Sequence, residues 1–249
     1  MIDSNKTCFI FDVDGTLTKP RQKMEQKFER EFFEWVKNKQ VFLATGSDYP
    51  KTQYQVPLNI LRSMKMIFCC MGNETRNSNG LIAEKSKFVI PEELNLDLMK
   101  ILDNSPYLKK VGNHIEFRTG MINFSIVGRN ATMIERDEYN KWDLVNQERS
   151  KIVNFINKKY PTLNASVGGS ISIDIIEEGK DKGQIIHYLE NVGATKVVFV
   201  GDRCEPGGND HGIIRELCKS NLAFEWYNVN GPHETLTLIR TNKVFDGGK

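Results

Sequence analysis

The chain has little of what marks a nucleic-acid-binding, secreted or membrane protein. Its 249 residues carry 34 basic and 32 acidic side chains, so no surplus of positive charge calls for a nucleic acid or an anionic membrane as partner. No apolar run approaches the roughly 20 residues that a membrane helix needs. Asp3, Asn5 and Asp12 interrupt the start of the chain, where a signal peptide would be basic and then apolar. We therefore expect no nucleic acid and no membrane as partner.

Cysteine is also scarce. The five cysteines form an odd, scattered set with neither a CxxC pair nor the His/Cys spacing of a zinc site. Cys8, Cys69 and Cys70 stand in apolar runs, which indicates small buried side chains rather than ligands. Unpaired cysteines suit a reducing compartment. The sequence thus predicts a soluble protein located in the cytoplasm.

The most informative segment that is present covers residues 9–16, FIFDVDGT. An apolar run there ends in two carboxylates, Asp12 and Asp14, followed by a glycine and a hydroxyl. Residues i and i+2 of a strand point to the same side, so we expect both carboxylates to converge at the tip of a buried strand. Ligands of open α/β sheets bind at such tips. Two carboxylates there can hold a divalent cation, and one can attack phosphorus.

Two other interpretations of this segment are a calcium loop and a solvated turn. A calcium loop would need further oxygen ligands at alternating positions and a terminal glutamate, and the residues after Asp14 do not supply them. The second alternative is a pair of solvated carboxylates in a turn. The apolar run before Asp12 and the matching segments downstream favour a functional site instead.

The hydrophobic pattern predicts an α/β protein with an insertion. Apolar runs over residues 7–11, 41–44 and 66–70 alternate with a helical pattern over 23–37, which is typical of a parallel sheet with helical crossovers. Helical and strand-like patterns alternate again over residues 182–192, 196–200, 212–218, 222–227 and 233–241. We therefore predict a discontinuous catalytic core over residues 1–83 and 184–249.

The intervening residues 84–183 have a different pattern. Runs over 111–118 and 121–127 flank Thr119-Gly120, which predicts a hairpin. A helical stretch over 134–159 precedes two more strand-like runs over 163–167 and 171–176. This order predicts an α+β cap domain with an antiparallel sheet.

Polar groups collect at four ends of core elements. Each segment alone is weak: Thr45-Gly46-Ser47 reads as a turn, and Lys182 ends a charged run that reads as solvated. Their order along the chain and their places at the ends of predicted elements favour one shared site. The set comprises Asp12, Asp14, Thr45, Ser47, Lys182, Asp202, Asn209 and Asp210.

The predicted cap carries groups suited to a phosphorylated sugar. Arg118, Arg129 and Arg136 lie within it, and several guanidinium groups on one surface form an anion site, although a single arginine is more often a surface charge. Ser172 and Asp174 alternate with isoleucines. On a strand they share one face, which could contact sugar hydroxyls or could be an ordinary half-exposed face.

These motifs resemble two nested families. FDVDGT, ATGSD, DKG and GDRCEPGGND match the four motifs of the haloacid dehalogenase superfamily. FDVDGTLTKPRQ, HIEFRTGMINFSIVGRNA, ERDEY, GGSISIDII and PGGNDH resemble the eukaryotic phosphomannomutases more closely. These segments span most of the chain. The resemblance implies a Rossmann-like core with a parallel sheet and an inserted cap.

The resemblance also implies roles. Asp12 would be the nucleophile and Asp14 the general acid and base. Asp12, the carbonyl of Asp14 and Asp202 would hold Mg²⁺, supported by Asn209 and Asp210. Thr45 or Ser47, with Lys182, would bind the transferring phosphate. Arg118, Arg129 and Arg136 would bind the other phosphate, Arg21 would reach the substrate from the core, and Ser172 and Asp174 would bind the sugar.

The implied reaction interconverts mannose 6-phosphate and mannose 1-phosphate through an aspartyl-phosphate, with a hexose 1,6-bisphosphate as activator. It would feed GDP-mannose synthesis, and the protein would be a homodimer through the cap. A magnesium-dependent sugar-phosphate phosphatase is the alternative enzyme, and a non-catalytic sugar-phosphate binding protein is the third candidate. The chain departs from the family pattern at Thr45, at Glu205 and over residues 71–75.

Overall fold

The computed structural model describes residues 2–3 and 5–241. Met1, Ser4 and residues 242–249 at the end of the predicted core lie outside the described residues. By their internal contacts, the residues form two compact units. The first comprises Met1–Lys85, Asp181–Pro206 and Asp210–Lys249, and the second comprises Ser86–Lys180 and Gly207–Asn209. No described helix combines the length and apolarity that crossing a bilayer requires.

The first unit is built on a mixed sheet of seven strands. The strands are β1 (Cys8–Phe11), β2 (Gln40–Ala44), β3 (Met66–Cys69), β4 (Glu74–Arg76), β5 (Ile82–Lys85), β10 (Lys196–Gly201) and β11 (Ala223–Asn228). Their spatial order is β11-β10-β1-β2-β3-β4-β5. The strands from β11 to β3 are parallel, and β4 and β5 are antiparallel additions.

The two strands that Asp12 and Asp202 directly follow, β1 and β10, lie inside this sheet. β1 pairs with both β10 and β2, and all its side chains are buried. A strand buried on both faces needs a continuous apolar run rather than an alternating one. The FIF segment of residues 9–11 is such a run. The carboxyl ends of β1 and β10 therefore open on the same edge of the sheet.

Helices cover this sheet: α1 (Gln26–Val36), α2 (Tyr49–Gln55), α3 (Leu58–Leu61), α7 (Gln184–Asn191), α8 (His211–Lys219) and α9 (Pro232–Thr241). The prediction that α1 begins at residue 23 was wrong. Residue 25 has an extended backbone, and the Met24 N–H donates to the carbonyl of Gln55 at 2.8 Å. This bond ties the segment before α1 to the end of α2. The hydrophobic pattern gave no bounds for the helical crossover formed by α2 and α3, and it did not indicate β4 or β5.

The second unit is an antiparallel sheet with helices on one face. Its order is β6-β7-β9-β8, with β6 (Ile115–Arg118), β7 (Met121–Phe124), β8 (Leu163–Gly168) and β9 (Ser172–Glu177). The predicted hairpin between β6 and β7 is confirmed. The helices are α4 (Glu92–Asn104), α5 (Met133–Asn146) and α6 (Glu148–Lys159), of which α4 was not predicted.

The predicted single helix over 134–159 is two helices. Gln147 between them has φ of 52°, a left-handed conformation that ends α5. The Asp143 carboxylate accepts hydrogen bonds from the Arg149 N–H at 2.9 Å and from Arg149 Nε at 2.6 Å. This buried ion pair caps α6 and holds the break in place. The mixed α/β fold with a parallel-rich sheet and a separate antiparallel sheet is as predicted.

Side chains of the antiparallel sheet divide by face. Ile122, Phe124, Ile173 and Ile175 belong to one buried apolar cluster with residues of the helices. The opposite face is polar: Asn123 pairs with Asp174 on the neighbouring strand, and Glu116 pairs with Asn123. Since successive side chains alternate between faces, the same strands make both the core and the polar surface.

Candidate active site

Three carboxylates of the first unit converge at the carboxyl edge of the parallel sheet. Asp12 directly follows β1, Asp202 directly follows β10, and Asp210 immediately precedes α8. One carboxylate oxygen from each lies within 4.8 Å of one from each of the others. The predicted metal-binding carboxylates Asp12 and Asp202 are thus brought together. The third member of the cluster is Asp210, whereas the carboxylate of Asp14 has other partners.

Lys182 neutralises part of this charge from within the protein. Its Nζ donates to Asp12 Oδ1 at 2.5 Å and to Asp210 Oδ1 at 2.6 Å. The side chain has 0% exposure, so the solvated alternative for Lys182 does not hold. An isolated buried ammonium would be costly, but one that is paired with carboxylates is tolerated. Lys182 therefore holds the Asp12 carboxylate through Oδ1 and makes no hydrogen bond to Oδ2.

The electrostatics of the cluster follow from burial and charge crowding. Burial raises the pKa of Asp12 well above its usual value; Lys182 opposes this shift, and Asp210 and Asp202 add to it. Burial, followed by the charge of Asp210, raises the pKa of Asp202 to about 6. Burial lowers the pKa of Lys182, but Asp12 and Asp210 outweigh it and raise that pKa overall. Three carboxylates against one buried ammonium leave an excess of negative charge.

The donor set of the cluster fits a hard divalent cation. Asp12 Oδ2 is buried and has no hydrogen-bond partner in the described structure. Carboxylate oxygens are the ligands that Mg²⁺ prefers, and a cation would also offset the excess charge. Gly15 permits the close approach of Asp202: a Cβ built at Gly15 would lie 2.3 Å from Asp202 Oδ2. Its φ of +90° favours glycine as well.

Asp14 occupies a different environment from Asp12. It follows the end of β1 in a turn, where it forms an isolated bridge with Thr18. Its Oδ1 accepts hydrogen bonds from the Arg21 backbone N–H at 2.8 Å and from Gln55 Nε2 at 2.7 Å. Its Oδ2 accepts one from Ser47 Oγ at 3.3 Å. The two carboxylates of the DVD segment therefore have separate partners within the first unit.

The hydroxyls after β2 are placed by backbone hydrogen bonds. Thr45 is 1% exposed, and its Oγ1 accepts a hydrogen bond from the Ser47 N–H at 3.0 Å. The N–H of Met71 donates to the Thr45 carbonyl at 3.0 Å, and that of Cys70 to the Ser47 carbonyl at 2.9 Å. Cys70 and Met71 both have positive φ. The segment after β3, where the sequence departs from the family pattern, thus holds the loop of Thr45 and Ser47 through backbone hydrogen bonds. These bonds add no acidic group to the loop.

In the second unit, a glutamate organises the predicted arginines. Arg118 Nε donates to Glu116 Oε1 at 3.1 Å, and Arg129 Nε donates to Glu116 Oε2 at 3.0 Å. Arg129 Nη1 also donates to Ser172 Oγ at 2.7 Å. Arg118, Arg129 and Ser172 therefore form one hydrogen-bonded group about Glu116.

Arg136 and Asp174 extend this polar region. Arg136 is 5% exposed and donates through Nη2 to the carbonyl of Arg129 at 2.6 Å and through Nε to that of Ala131 at 2.8 Å. Asp174 accepts a hydrogen bond from Asn123 Nδ2 at 2.6 Å. Two backbone carbonyls therefore hold the Arg136 guanidinium in place, and this polar region combines three guanidinium groups with the carboxylates of Glu116 and Asp174.

Two predicted residues contribute no side-chain contact described above, and others were not predicted. Arg21 is exposed and donates its backbone N–H to Asp14, and Asn209 belongs to the second unit although Asp210 belongs to the first. Gln55, Glu116 and Asn123 were not predicted. Glu116 and Asn123 could have been found from the alternation in HIEFR and MINF, which places them on the polar face. Gln55 had no local signal because its partners are distant in sequence.

Solved structures define the class of fold. The IMP-nucleotidase of Plasmodium falciparum matches with a TM-score of 0.62 at 13% identity, covering 95% of this chain and 68% of that one. A haloacid dehalogenase-like hydrolase from Bacteroides thetaiotaomicron matches with a TM-score of 0.57 at 14% identity, covering 95% of this chain and 99% of that one. The chain therefore has the haloacid dehalogenase-type fold.

Sequence comparison identifies the family within that class. The family model of eukaryotic phosphomannomutase matches residues 29–245. A phosphomannomutase of Triticum aestivum is 34% identical over 248 residues, with 93% of each chain covered. One of Dendrobium officinale is 36% identical over 212 residues, covering 82% of this chain and 83% of that one. The chain belongs to the eukaryotic phosphomannomutase family, and its identification as an enzyme is confirmed.

The crowding of carboxylates predicts that Asp202→Asn stabilises the metal-free protein. Because the folded-state pKa of Asp202 is raised to about 6, the folded protein retains a proton that the unfolded chain loses near pH 4. Asp202 therefore costs stability progressively as pH rises from about 4 to 6, on the order of 1–3 kcal/mol in the free energy of unfolding. Denaturant unfolding in EDTA should show the variant more stable at pH 7.5, with the gain vanishing near pH 4.

Added Mg²⁺ should stabilise the wild-type protein more than the Asp202→Asn variant, since the variant lacks one of the three clustered carboxylates expected to bind the cation. Asp103→Asn, at an exposed position, is the matched control and should change neither property. A metal-free Asp202→Asn protein that is less stable than the wild type at pH 7.5 would contradict the electrostatic account.

Proposed function

We propose that this protein is a phosphomannomutase that interconverts mannose 6-phosphate and mannose 1-phosphate through a phosphorylated Asp12. Family membership supports the assignment. The observation that carries it is the state of Asp12: one carboxylate oxygen is held by the buried ammonium of Lys182, and the other is buried without a partner. An acyl phosphate needs a fixed carboxylate with one oxygen available for attack.

The catalytic steps are assigned to residues of the first unit. Asp12 attacks the phosphorus while Lys182 orients it and, with the hydroxyl of Thr45 or Ser47, binds the transferring oxygens. Asp14 gives a proton to the departing sugar oxygen and later takes one from the attacking hydroxyl. Mg²⁺ would be held by Asp12, Asp202 and the backbone carbonyl of Asp14, with Asn209 and Asp210 in support. When bound, it would reduce the repulsion between the nucleophile and the anionic phosphate.

The second unit supplies a separate phosphate site in this proposal. A mutase that uses a hexose 1,6-bisphosphate must bind one phosphate while the other reacts. The guanidinium groups of Arg118, Arg129 and Arg136 suit the phosphate that does not react. Ser172 and Asp174, on the polar face of β9, would bind sugar hydroxyls, and Arg21 would contribute from the first unit.

The product and the setting of the reaction are part of the same proposal. Mannose 1-phosphate would serve GDP-mannose synthesis. The five cysteines are all free, which suits the cytoplasm.

We propose a homodimer through the second unit. In the described part of the chain, β6 pairs only with β7, and Phe117 on this edge strand is 61% exposed. An open edge with an exposed aromatic side chain favours association. Sedimentation of the purified chain at micromolar concentration should therefore give the mass of a dimer rather than 28.6 kDa.

A coupled assay tests the reaction. Mannose 1-phosphate, Mg²⁺ and a catalytic amount of hexose 1,6-bisphosphate should yield mannose 6-phosphate, with little free phosphate. Asp12→Asn should abolish turnover, because an amide cannot form the acyl phosphate, and should leave binding of the sugar phosphate in place. Released phosphate and formed sugar phosphate are measured in the same reaction.

The outcomes separate three functions. Free phosphate as the main product at saturating bisphosphate would assign a phosphatase instead. Sugar-phosphate binding by the wild-type protein with neither product formed would assign a binding protein. Turnover by Asp12→Asn at the wild-type rate would contradict the role of Asp12.

Arg136→Ala should weaken substrate binding. A charge-assisted hydrogen bond to phosphate contributes about 1.5–3 kcal/mol, so KM should rise about 10- to 150-fold with a smaller change in kcat. Lys141→Ala is the control, because Lys141 lies on the same helix and its side chain is 73% exposed. An unchanged KM in a folded Arg136→Ala protein would place Arg136 outside the substrate site.

A further inference from the structure

The two oxygens of the Asp14 carboxylate are held unequally. Oδ1 accepts two N–H groups, from Gln55 Nε2 at 2.7 Å and from the Arg21 backbone at 2.8 Å. Oδ2 accepts the Ser47 hydroxyl at 3.3 Å, a long distance for a hydroxyl donor. Hydroxyls also rotate between acceptors more readily than a backbone amide does. Oδ1 is therefore fixed, whereas Oδ2 can exchange its partner.

Gln55 is itself immobilised. It is the last residue of α2 and is 3% exposed, and its carbonyl accepts the Met24 N–H at 2.8 Å. Besides Asp14, its Nε2 donates to Thr18 Oγ1 at 3.0 Å. The hydroxyl of Thr18 in turn donates to the Val13 carbonyl at 3.3 Å, so its oxygen is left as an acceptor.

This network determines which end of the Gln55 amide faces Asp14. An ionised carboxylate only accepts hydrogen bonds, and the Thr18 oxygen also acts as an acceptor here. Both neighbours therefore require the NH₂ group rather than the amide oxygen. The two hydrogens of Nε2 are both used, and the side chain has no alternative orientation that preserves these bonds.

We propose that Gln55 is a positioning residue for Asp14, which commits Oδ1 to the protein and leaves Oδ2 to exchange protons with the substrate. The inference rests on the proposed function. As the bond from phosphorus to the sugar oxygen breaks and the bond to Asp12 forms, the sugar oxygen takes the proton from Asp14 Oδ2. In the reverse half, Oδ2 takes the proton of the attacking sugar hydroxyl as the bond from Asp12 to phosphorus breaks.

The test compares three variants in the mutase assay. Gln55→Leu removes the donor, and Gln55→Glu keeps the shape but has no N–H to offer when ionised. Both should lower kcat about 10- to 100-fold, the range seen when a supporting hydrogen bond to a functional group is lost. KM should stay within about threefold, because Gln55 is not proposed to touch substrate. Gln53→Leu, on the same helix but exposed, should match the wild type.

Unfolding temperature is measured for each variant. If Gln55→Leu does not fold, Gln55→Glu decides the question, since it preserves the volume of the buried site. A folded variant with wild-type kcat, or one that raises KM with kcat unchanged, overturns the role of Gln55. If the wild-type chain shows no turnover of hexose phosphates, the proposed function fails and this inference falls with it. An active wild type with an unaffected Gln55→Glu refutes only the inference.

Discussion

The structure of the candidate site depends on one interaction, the buried contact of Lys182 with both Asp12 and Asp210. The ammonium lies 2.5 Å from one carboxylate oxygen and 2.6 Å from the other, and neither the lysine nor Asp210 is exposed. Without this cation, three acidic groups could not share the edge of a parallel sheet, because each unpaired buried charge costs several kcal/mol. With it, Asp12 is oriented from one side and keeps a free oxygen on the other.

The same constraint links fold to chemistry. Parallel pairing of β1 and β10 places Asp12 and Asp202 side by side, and Gly15 lets Asp202 approach closely. The cluster has three carboxylates and one ammonium group, that of Lys182, so a divalent cation would balance its charge. The Asp14 carboxylate is not part of this cluster and accepts hydrogen bonds from neutral donors. Asp12 and Asp14 therefore have different surroundings and, in the proposed reaction, different roles.

Sequence patterns singled out the carboxylates that the structure brings together, but they did not single out most of the residues that hold the site groups in place. Asp12, Asp202 and Asp210 could be identified because each directly follows or precedes a strand or helix that is visible in the sequence, and Lys182 lies two residues before α7. The break at Gln147 could not, because it depends on an ion pair between two helices that read as one continuous pattern.

Residues that hold the predicted site residues in place were the hardest to predict from the sequence. The role proposed for Gln55 depends on a side-chain contact with a residue 41 positions away, and no local pattern encodes such a contact. Glu116 was overlooked because an acidic residue between predicted phosphate-binding arginines is unexpected. The structure shows that it aligns Arg118 and Arg129 through its two oxygens.

Replacement of the central cation tests this account most directly. Lys182→Met keeps an unbranched side chain that is one atom shorter and removes its charge, so three carboxylates remain without a buried counter-charge. Measured in EDTA at pH 7.5, its free energy of unfolding should fall by about 3–5 kcal/mol, and the double variant Lys182→Met/Asp210→Asn should recover part of that loss. A Lys182→Met protein as stable as the wild type would show that the lysine does not hold the acidic cluster together.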